Sequence, residues 1–192
     1  MPDPAVTHAH LWRDARAALA AYAPGDPLQE GLREDYLAHL EGHPDATAKA
    51  GPPAHLTASC LVLDASGRHV LLTHHRRAHR WFQFGGHLED TDASVWDAAR
   101  REGREESGLT TLEPQRTILQ LDRHRLEGDF GRCREHLDVR FLAVVADGSA
   151  PVVSGESHDV RWWPVDALPE GPTGEVADLV RCALSARGSG RV

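Results

Sequence analysis

The chain has 192 residues, 41% hydrophobic and 26% charged, with 21 Lys and Arg against 29 Asp and Glu, a formal net charge of −8. This length suits one domain with a short terminal extension, and the composition excludes collagen, coiled coil and wholesale disorder. The acidic balance excludes a duplex-DNA binder, which needs a basic face. An acidic protein can still bind a nucleotide substrate, because a divalent cation can link carboxylates to phosphates.

Two apolar stripes at helical spacing predict two helices before residue 41. The stripes are Leu11, Ala15, Leu19, Tyr22 and then Leu28, Leu32, Tyr36, Leu40. Asp26 and Pro27 provide a cap and a first-turn proline for the second helix, with Gln29 at the capping-box position. Residues 41–53 are a polar linker rich in Pro and Gly. We therefore expect an N-terminal helical extension and linker over 1–50, packing on the main domain or on a second subunit of a homodimer.

The sequence pattern after the linker predicts a β-sheet with helices. Strands are predicted over 54–64, 69–75, 81–84, 117–126, 136–146 and 160–163, and helices over 93–107 and 174–187. Gly85 and Gly86 are expected to end the run at 81–84. Strands, one internal helix, more strands and a final helix indicate an α/β sandwich with a mixed sheet over 54–187.

The cysteines and the amino-terminal residues indicate the cellular compartment of the protein. Cys60, Cys133 and Cys182 are scattered and lack C-x-x-C spacing, which favours reduced thiols. No apolar run reaches the roughly 18 residues of a transmembrane helix, and the first residues do not resemble a signal peptide. We expect a cytoplasmic protein without membrane contact.

The histidines do not predict a zinc site. His74, His75, His79 and His87 lack both the i, i+4 helical pairing and the cysteine partners typical of zinc ligands.

The segment from Gly85 to Leu109 carries the strongest chemical signal. With 3.6 residues per turn, Glu102, Glu105 and Glu106 share one face of the predicted helix. At an effective dielectric constant of about 20, two such charges 4 Å apart repel by about 4 kcal/mol. Splaying into solvent relieves this repulsion, and so does a hard divalent cation such as Mg²⁺, which prefers oxygen ligands.

The surroundings of these carboxylates favour the cation, because they resemble the Nudix box of the Nudix hydrolases. In the order of that signature, the chain supplies Gly86, Arg101-Glu102, Glu105-Glu106 and Gly108-Leu109. The resemblance covers 85–109 directly and extends through the flanking strands to 54–187. It implies a Nudix-type α/β/α sandwich with a mixed sheet.

Two features depart from the usual box. The segment is one residue longer, with Glu89 or Asp92 at the place of the mid-box glutamate, and it resembles a subfamily of the form GGHxExxDxS. Gly103 replaces an apolar residue between the acidic pairs, which costs about 1 kcal/mol of helix propensity and removes a packing side chain. Neither departure changes the carboxylates.

The resemblance implies a metal-dependent pyrophosphohydrolase that uses Mg²⁺ or Mn²⁺ and a nucleoside diphosphate linked to another moiety. By motif position, Glu105 and Glu106 are metal ligands, Glu102 is a third ligand or the water-activating base, and Gly86 offers a carbonyl. Arg101 is expected to orient Glu102.

Further site residues are expected outside the box. Many family members use an additional loop carboxylate before the last strand, and Glu156 lies in that region, with Glu135 and Asp138 as alternatives. Trp81 and Phe82, just ahead of the glycines, are candidates for contacting a base. The pair Arg123 and Arg125 is a candidate for attracting phosphate.

Two other functions occur on the same fold. Isopentenyl-diphosphate isomerase shares the fold, but the three cysteines do not match its catalytic cysteine. In a non-catalytic, ligand-binding or regulatory Nudix domain, the acidic residues of this helix are usually replaced, whereas all three are present here. The residues do not identify which nucleotide derivative is the substrate.

Overall fold

The computed structural model describes residues 8–76, 78–126, 132–155, 157–169 and 174–188. Its helices are α1 (Ala9–Ala21), α2 (Pro27–Gly42), α3 (Val95–Ser107) and α4 (Gly174–Gly188). Its strands are β1 (Ala54–Asp64), β2 (His69–His75), β3 (Arg80–Phe82), β4 (Phe84–His87), β5 (Gln120–Arg125), β6 (Glu135–Val145) and β7 (Ser157–Pro164). Among the helices in these ranges, none combines the length and apolarity needed to cross a bilayer.

The strands form a seven-stranded sheet with the order β3-β2-β1-β6-β5. Off this path, β4 pairs with β1 and β7 pairs with β2. The pairs β1–β2, β2–β3, β2–β7 and β5–β6 are antiparallel. The predicted α/β architecture, with two helices ahead of the sheet, is confirmed.

One predicted boundary is wrong. Gly85 and Gly86 do not end the strand that was expected over 81–84 but lie inside β4. The run breaks instead at Gln83, between β3 and β4. Glycine in a strand interior is a poor strand former, so the sequence pattern alone indicated a stop.

The chain divides into two compact units, and β1 and β6 contribute residues to both. Among the described residues, the first unit comprises those within 8–58, 86–98 and 120–140, and the second comprises those within 59–85, 99–119 and 141–188. In the second unit, the apolar side of α4 packs on strand residues. This core contains Leu61, Leu63, Val70, Leu72, Leu119, Leu142, Val176, Leu179, Val180 and Ala183.

A buried carboxylate organises the turn between β1 and β2. Asp64 accepts hydrogen bonds from the backbone N–H groups of Arg68 at 2.9 Å and His69 at 3.0 Å, and contacts the His69 ring at 2.8 Å. Gly67 adopts a φ of +69°, which the tight turn requires. Burial acts to raise the pKa of Asp64, but these hydrogen bonds outweigh burial and lower the pKa to about 2.

In the first unit, α2 is attached to the sheet edge through Gln29. Asp26 caps α2 by accepting from the Gln29 backbone N–H at 3.0 Å, as predicted. The Gln29 amide donates to the Leu121 carbonyl at 2.9 Å and its oxygen accepts from the Leu121 N–H at 2.7 Å. Because β5 ends the strand order, this side chain satisfies backbone groups that an edge strand would leave open.

Two expectations for the amino-terminal region differ from the structure. Leu28 is 72% exposed and does not belong to the buried stripe of α2, whereas Gln29 is buried because of its bonds to β5. The predicted linker folds into consecutive turns that bury Ala46, Thr47 and Ala48. The Ala46 carbonyl accepts from the Leu56 N–H at 2.8 Å, which ties these turns to β1.

Candidate active site

The helix that carries the acidic residues has a well-defined start. Ser94 and Asp97 form a reciprocal cap, in which the Ser94 hydroxyl donates to the Asp97 carboxylate at 2.9 Å and accepts from its backbone N–H at 3.0 Å. The Asp14 side chain, on α1, accepts from the Val95 N–H at 2.7 Å. The first turn of α3 therefore has carboxylates at its positive end, which stabilises the helix.

The buried side of α3 explains the glycine that departs from the usual box. Val95, Trp96 and Ala99 are buried on this side of the helix. A Cβ placed on Gly103 would lie 3.1 Å from Leu112 Cδ2 and 3.6 Å from Cys60 Cβ. The expectation that Gly103 leaves a packing side chain missing is wrong, since its neighbours fill that space.

The end of α3 requires the second box glycine. Gly108 has a φ of +71°, and a Cβ at this position would lie 2.6 Å from the Val152 Cβ. The Val152 N–H donates to the Ser107 carbonyl at 2.8 Å, so this backbone contact is close. Both the positive φ and the lack of space exclude other residues.

The three box carboxylates lie in different environments along one helix face. Glu106 is 5% exposed, and its Oε2 accepts from the Gly85 backbone N–H at 3.0 Å. The Glu102 side chain is 14% exposed, whereas that of Glu105 is 61% exposed. The face thus runs from a fixed, buried carboxylate to one that is open to solvent.

Arg101 pairs with two of these carboxylates. Its Nη1 donates to Glu102 Oε1 at 2.9 Å and to Glu105 Oε2 at 3.2 Å. The Arg101 side chain is only 18% exposed, so the guanidinium is held beside both acids. This ion pairing offsets part of the repulsion among the glutamates when no cation is bound.

The donor set suits a hard divalent cation. Glu102, Glu105 and Glu106 present only carboxylate oxygens, which are the ligands that Mg²⁺ and Mn²⁺ prefer. The buried Glu106 has one oxygen bonded to Gly85, which fixes the direction of the carboxylate.

The other predicted site residues lie in varied settings. Trp81 is half-buried, 5.2 Å from the Trp163 ring in an edge-on arrangement, and Phe82 beside it is also half-buried. Arg123 is ion-paired with Glu135 at 2.8 Å.

Two further predicted residues complete the set. Arg125 is exposed at the end of β5. Glu156 lies outside the described residues.

A cluster of nitrogen and sulphur ligands was missed by the sequence analysis. His55, His87, Cys133 and His136 each offer one ligand atom, and these atoms all lie within 4.8 Å of one another. The inference that His87 lacks a cysteine partner is therefore wrong. The spacing Cys133-x-x-His136 was the one local signal, and the other two histidines join it only through the fold.

Burial controls the ionisation of this cluster. Burial lowers the pKa of His55, of His87 to about 3 and of His136 to about 4. The imidazoles of His87 and His136 are therefore neutral at pH 7. Burial also raises the pKa of the Cys133 thiol.

Comparison with known proteins identifies the family. The model of the NUDIX domain matches residues 53–180, more than half of the chain. No curated protein matches the chain. The chain belongs to the Nudix family.

Solved structures share the fold. An Ap4A hydrolase binary complex from C. elegans is 21% identical, with a TM-score of 0.56, covering 70% of this chain and 98% of that one. The MutT protein from Methanosarcina mazei Go1 is 19% identical, with a TM-score of 0.54, covering 71% and 97%. An ADP-ribose pyrophosphatase from Streptococcus suis is 21% identical, with a TM-score of 0.51, covering 69% and 90%. The predicted Nudix-type fold is confirmed.

Proposed function

We propose that this Nudix-family protein is a metal-dependent pyrophosphohydrolase that cleaves a nucleoside diphosphate linked to another moiety. The observation that carries the proposal is the carboxylate face of α3, where Glu106 is fixed by the Gly85 N–H and Arg101 pairs with Glu102 and Glu105. The names of two structural neighbours, an Ap4A hydrolase and an ADP-ribose pyrophosphatase, support a substrate in which a phosphoanhydride joins a nucleotide to a second group.

The residues that would hold Mg²⁺ or Mn²⁺ are Glu102, Glu105 and Glu106, with the Gly86 carbonyl as a further ligand. When bound, the cation supplies charge neutralisation at the phosphate oxygens and acidifies water. The fixed Glu106 contributes a preoriented oxygen, whereas the exposed Glu105 reorients at little cost because its side chain is solvated.

The chain's own groups position the reaction and accept a proton. Arg101 holds Glu102 in place through the 2.9 Å bond. Water attacks phosphorus, the bond from phosphorus to the leaving phosphate oxygen breaks, and the proton of the water passes to a carboxylate. Glu156 is our first candidate for that general base, and Glu102 is the alternative.

Substrate contacts are assigned to Trp81, Phe82 and Arg125. The two aromatic rings are half-buried, so each keeps an accessible part that can contact a base or the leaving group. Arg125 is a stronger candidate for phosphate than Arg123, because Arg123 is already neutralised by Glu135 and is also within 3.5 Å of Asp35.

A substrate screen tests this proposal. Nucleoside triphosphates, nucleotide sugars and dinucleoside polyphosphates are incubated with the protein and Mg²⁺ or Mn²⁺, and the products are separated by anion-exchange chromatography. We expect cleavage of at least one class at a phosphoanhydride. Binding of a nucleotide in calorimetry without turnover of any member would favour the ligand-binding alternative.

The general base is tested by Glu156→Gln. We expect turnover to fall by about 10- to 1,000-fold with the fold intact, near the range of a general-base loss. Unchanged kinetics would exclude Glu156 and direct attention to Glu102, Glu135 and Asp138.

A further inference from the structure

We propose that His55, His87, Cys133 and His136 form a second metal site, which binds Zn²⁺ and is chemically distinct from the carboxylate face of α3. His55 belongs to β1, His87 ends β4, Cys133 lies just before β6, and His136 lies in β6. All four residues belong to the first compact unit. The proposal does not depend on the proposed pyrophosphohydrolase activity.

The ligand atoms are close to the arrangement that zinc requires. Cys133 Sγ lies 3.3 Å from His55 Nε2 and 3.2 Å from His136 Nε2. In a tetrahedral site with Zn–N of about 2.0–2.1 Å and Zn–S of about 2.3 Å, neighbouring ligand atoms are about 3.3–3.6 Å apart. No two ligand atoms of the cluster are more than 4.8 Å apart, so reaching the tetrahedral spacing would require a contraction of about 1.5 Å at most.

A hydrogen bond fixes the direction of one ligand. His55 Nδ1 lies 2.9 Å from the Pro52 carbonyl oxygen, and since a carbonyl cannot donate, Nδ1 carries the hydrogen. In the neutral form of this ring, the lone pair is on Nε2, which lies 3.3 Å from Cys133 Sγ. An imidazole that donates its other N–H to a backbone carbonyl is the usual state of a metal-bound histidine.

The rings of the three histidines lie close to one another. The His87 ring centre lies 5.1 Å from that of His55 and 5.2 Å from that of His136, and the latter two are 5.6 Å apart. His55 is 1% exposed and Cys133 is 7% exposed, so these two ligands are shielded from bulk solvent, and His87 and His136 are half-buried. Burying these polar groups together costs free energy that coordination to a metal recovers.

The chemistry of the ligands selects the metal. Thiolate and imidazole favour Zn²⁺ and similar transition ions, whereas Mg²⁺ and Ca²⁺ prefer oxygen. One cysteine and three histidines complete four-coordination, which is the closed arrangement of a structural zinc site. On binding, the Cys133 S–H bond breaks, the sulphur electron pair bonds to zinc, and the proton goes to solvent.

Zinc at this site would join three separate segments of the chain. It would connect the start of β1, the end of β4 and the segment that enters β6. His87 is bonded directly to Gly86, so the metal would also anchor the residue next to the first box glycine. We therefore assign the site a structural role within the first compact unit.

The first test measures zinc directly. The full chain, produced without a histidine tag, is loaded with Zn²⁺, passed through gel filtration and assayed by inductively coupled plasma mass spectrometry. We expect one tightly held zinc per chain, and substoichiometric zinc in Cys133→Ser and His55→Gln. Loss of even a hydrogen-bond partner of a ligand costs about 10–100-fold in affinity, so loss of a ligand should cost at least as much.

The second test identifies the ligands on the unmodified chain. Cobalt(II) replaces zinc, and the absorption spectrum should show intense tetrahedral d–d bands with a thiolate-to-cobalt charge-transfer band. This readout on the wild type does not require any variant to fold. A spectrum without the charge-transfer band would overturn the proposal.

Matched controls separate this site from others. Cys182→Ser tests a second thiol, and His43→Gln tests a surface histidine whose ring lies 4.6 Å from that of His39. Glu105→Gln tests the carboxylate face. We expect all three to keep the zinc and the charge-transfer band, and loss of either in Cys182→Ser, or retention in a folded Cys133→Ser, would contradict the assignment.

Discussion

Replacing Glu105 with Gln should remove the response of stability to Mg²⁺ without changing the stability of the metal-free protein. Glu105 is 61% exposed and pairs with Arg101 at 3.2 Å in an i, i+4 arrangement. An i, i+4 ion pair on a helix contributes about 0.3–0.5 kcal/mol. The substitution also removes repulsion from Glu102 and Glu106, which has the opposite sign. We therefore expect the free energy of unfolding without Mg²⁺ to change by less than about 0.5 kcal/mol.

With Mg²⁺ present, we expect Glu105→Gln to lower the stability of the protein relative to the wild type. A cation that binds only the native state contributes RT ln(1 + [L]/Kd), about 2.7 kcal/mol at a hundredfold excess over Kd. For a chain of this size, 1 kcal/mol corresponds to about 2–4 °C in Tm, so Mg²⁺ should raise the wild-type Tm by roughly 5–11 °C. Glu105→Gln should lose most of that shift because it removes a ligand.

Differential scanning calorimetry with and without Mg²⁺ measures both quantities. The buffer contains no chelator, so that a transition metal bound elsewhere in the chain is not stripped. The matched control is Glu113→Gln, since Glu113 is 53% exposed and pairs with Arg104 at 2.8 Å. A full Mg²⁺ shift in Glu105→Gln, or none in the wild type, would refute the reasoning.

Three further substitutions test the packing and the hydrogen bonds. Gly103→Leu should lower the free energy of unfolding by about 1–3 kcal/mol in urea denaturation, because a Cβ there is already 3.1 Å from Leu112, and a stable variant would refute the close packing. Gln29→Ala should cost about 1–3 kcal/mol by leaving the Leu121 backbone groups without their partners, and it should speed hydrogen exchange at the Leu121 amide. Because the folded-state pKa of Asp64 is lowered to about 2, it stabilises the fold above its unfolded pKa of about 3.9, and this stabilisation is lost as pH falls between those values. Asp64→Asn should flatten the stability profile across that window, and an unchanged acid transition would contradict this.

The parts of the site that could be predicted are those encoded within one helix. The spacing of Glu102, Glu105 and Glu106 determines which face they share, because a helix has a fixed period. The requirement for glycine at position 108 is likewise local, since the residue adopts a positive φ directly after α3. The unequal exposure of the three glutamates could not be predicted, because it depends on their contacts with Gly85 and Arg101.

The parts that could not be predicted depend on tertiary contacts. His55, His87 and Cys133 come from distant segments, and no helical or strand period relates them. A tertiary contact also explains why α2 buries Gln29 and leaves Leu28 exposed, contrary to the prediction. A polar side chain is buried there because it satisfies the edge of β5, which hydrophobic periodicity does not register.

The most direct test of the central claim compares turnover in Glu106→Gln and Glu113→Gln across a Mn²⁺ titration, with the best substrate from the screen. Glu106 is 5% exposed and is bonded to Gly85, whereas Glu113 lies on the surface outside the box. The account predicts that Glu113→Gln keeps the wild-type kcat and Mn²⁺ dependence. It predicts that Glu106→Gln loses at least about 100-fold in kcat, since a charged group that acts in the transition state contributes several kcal/mol. Full Mn²⁺-dependent turnover in a folded Glu106→Gln would contradict the claim that the carboxylate face of α3 carries the reaction.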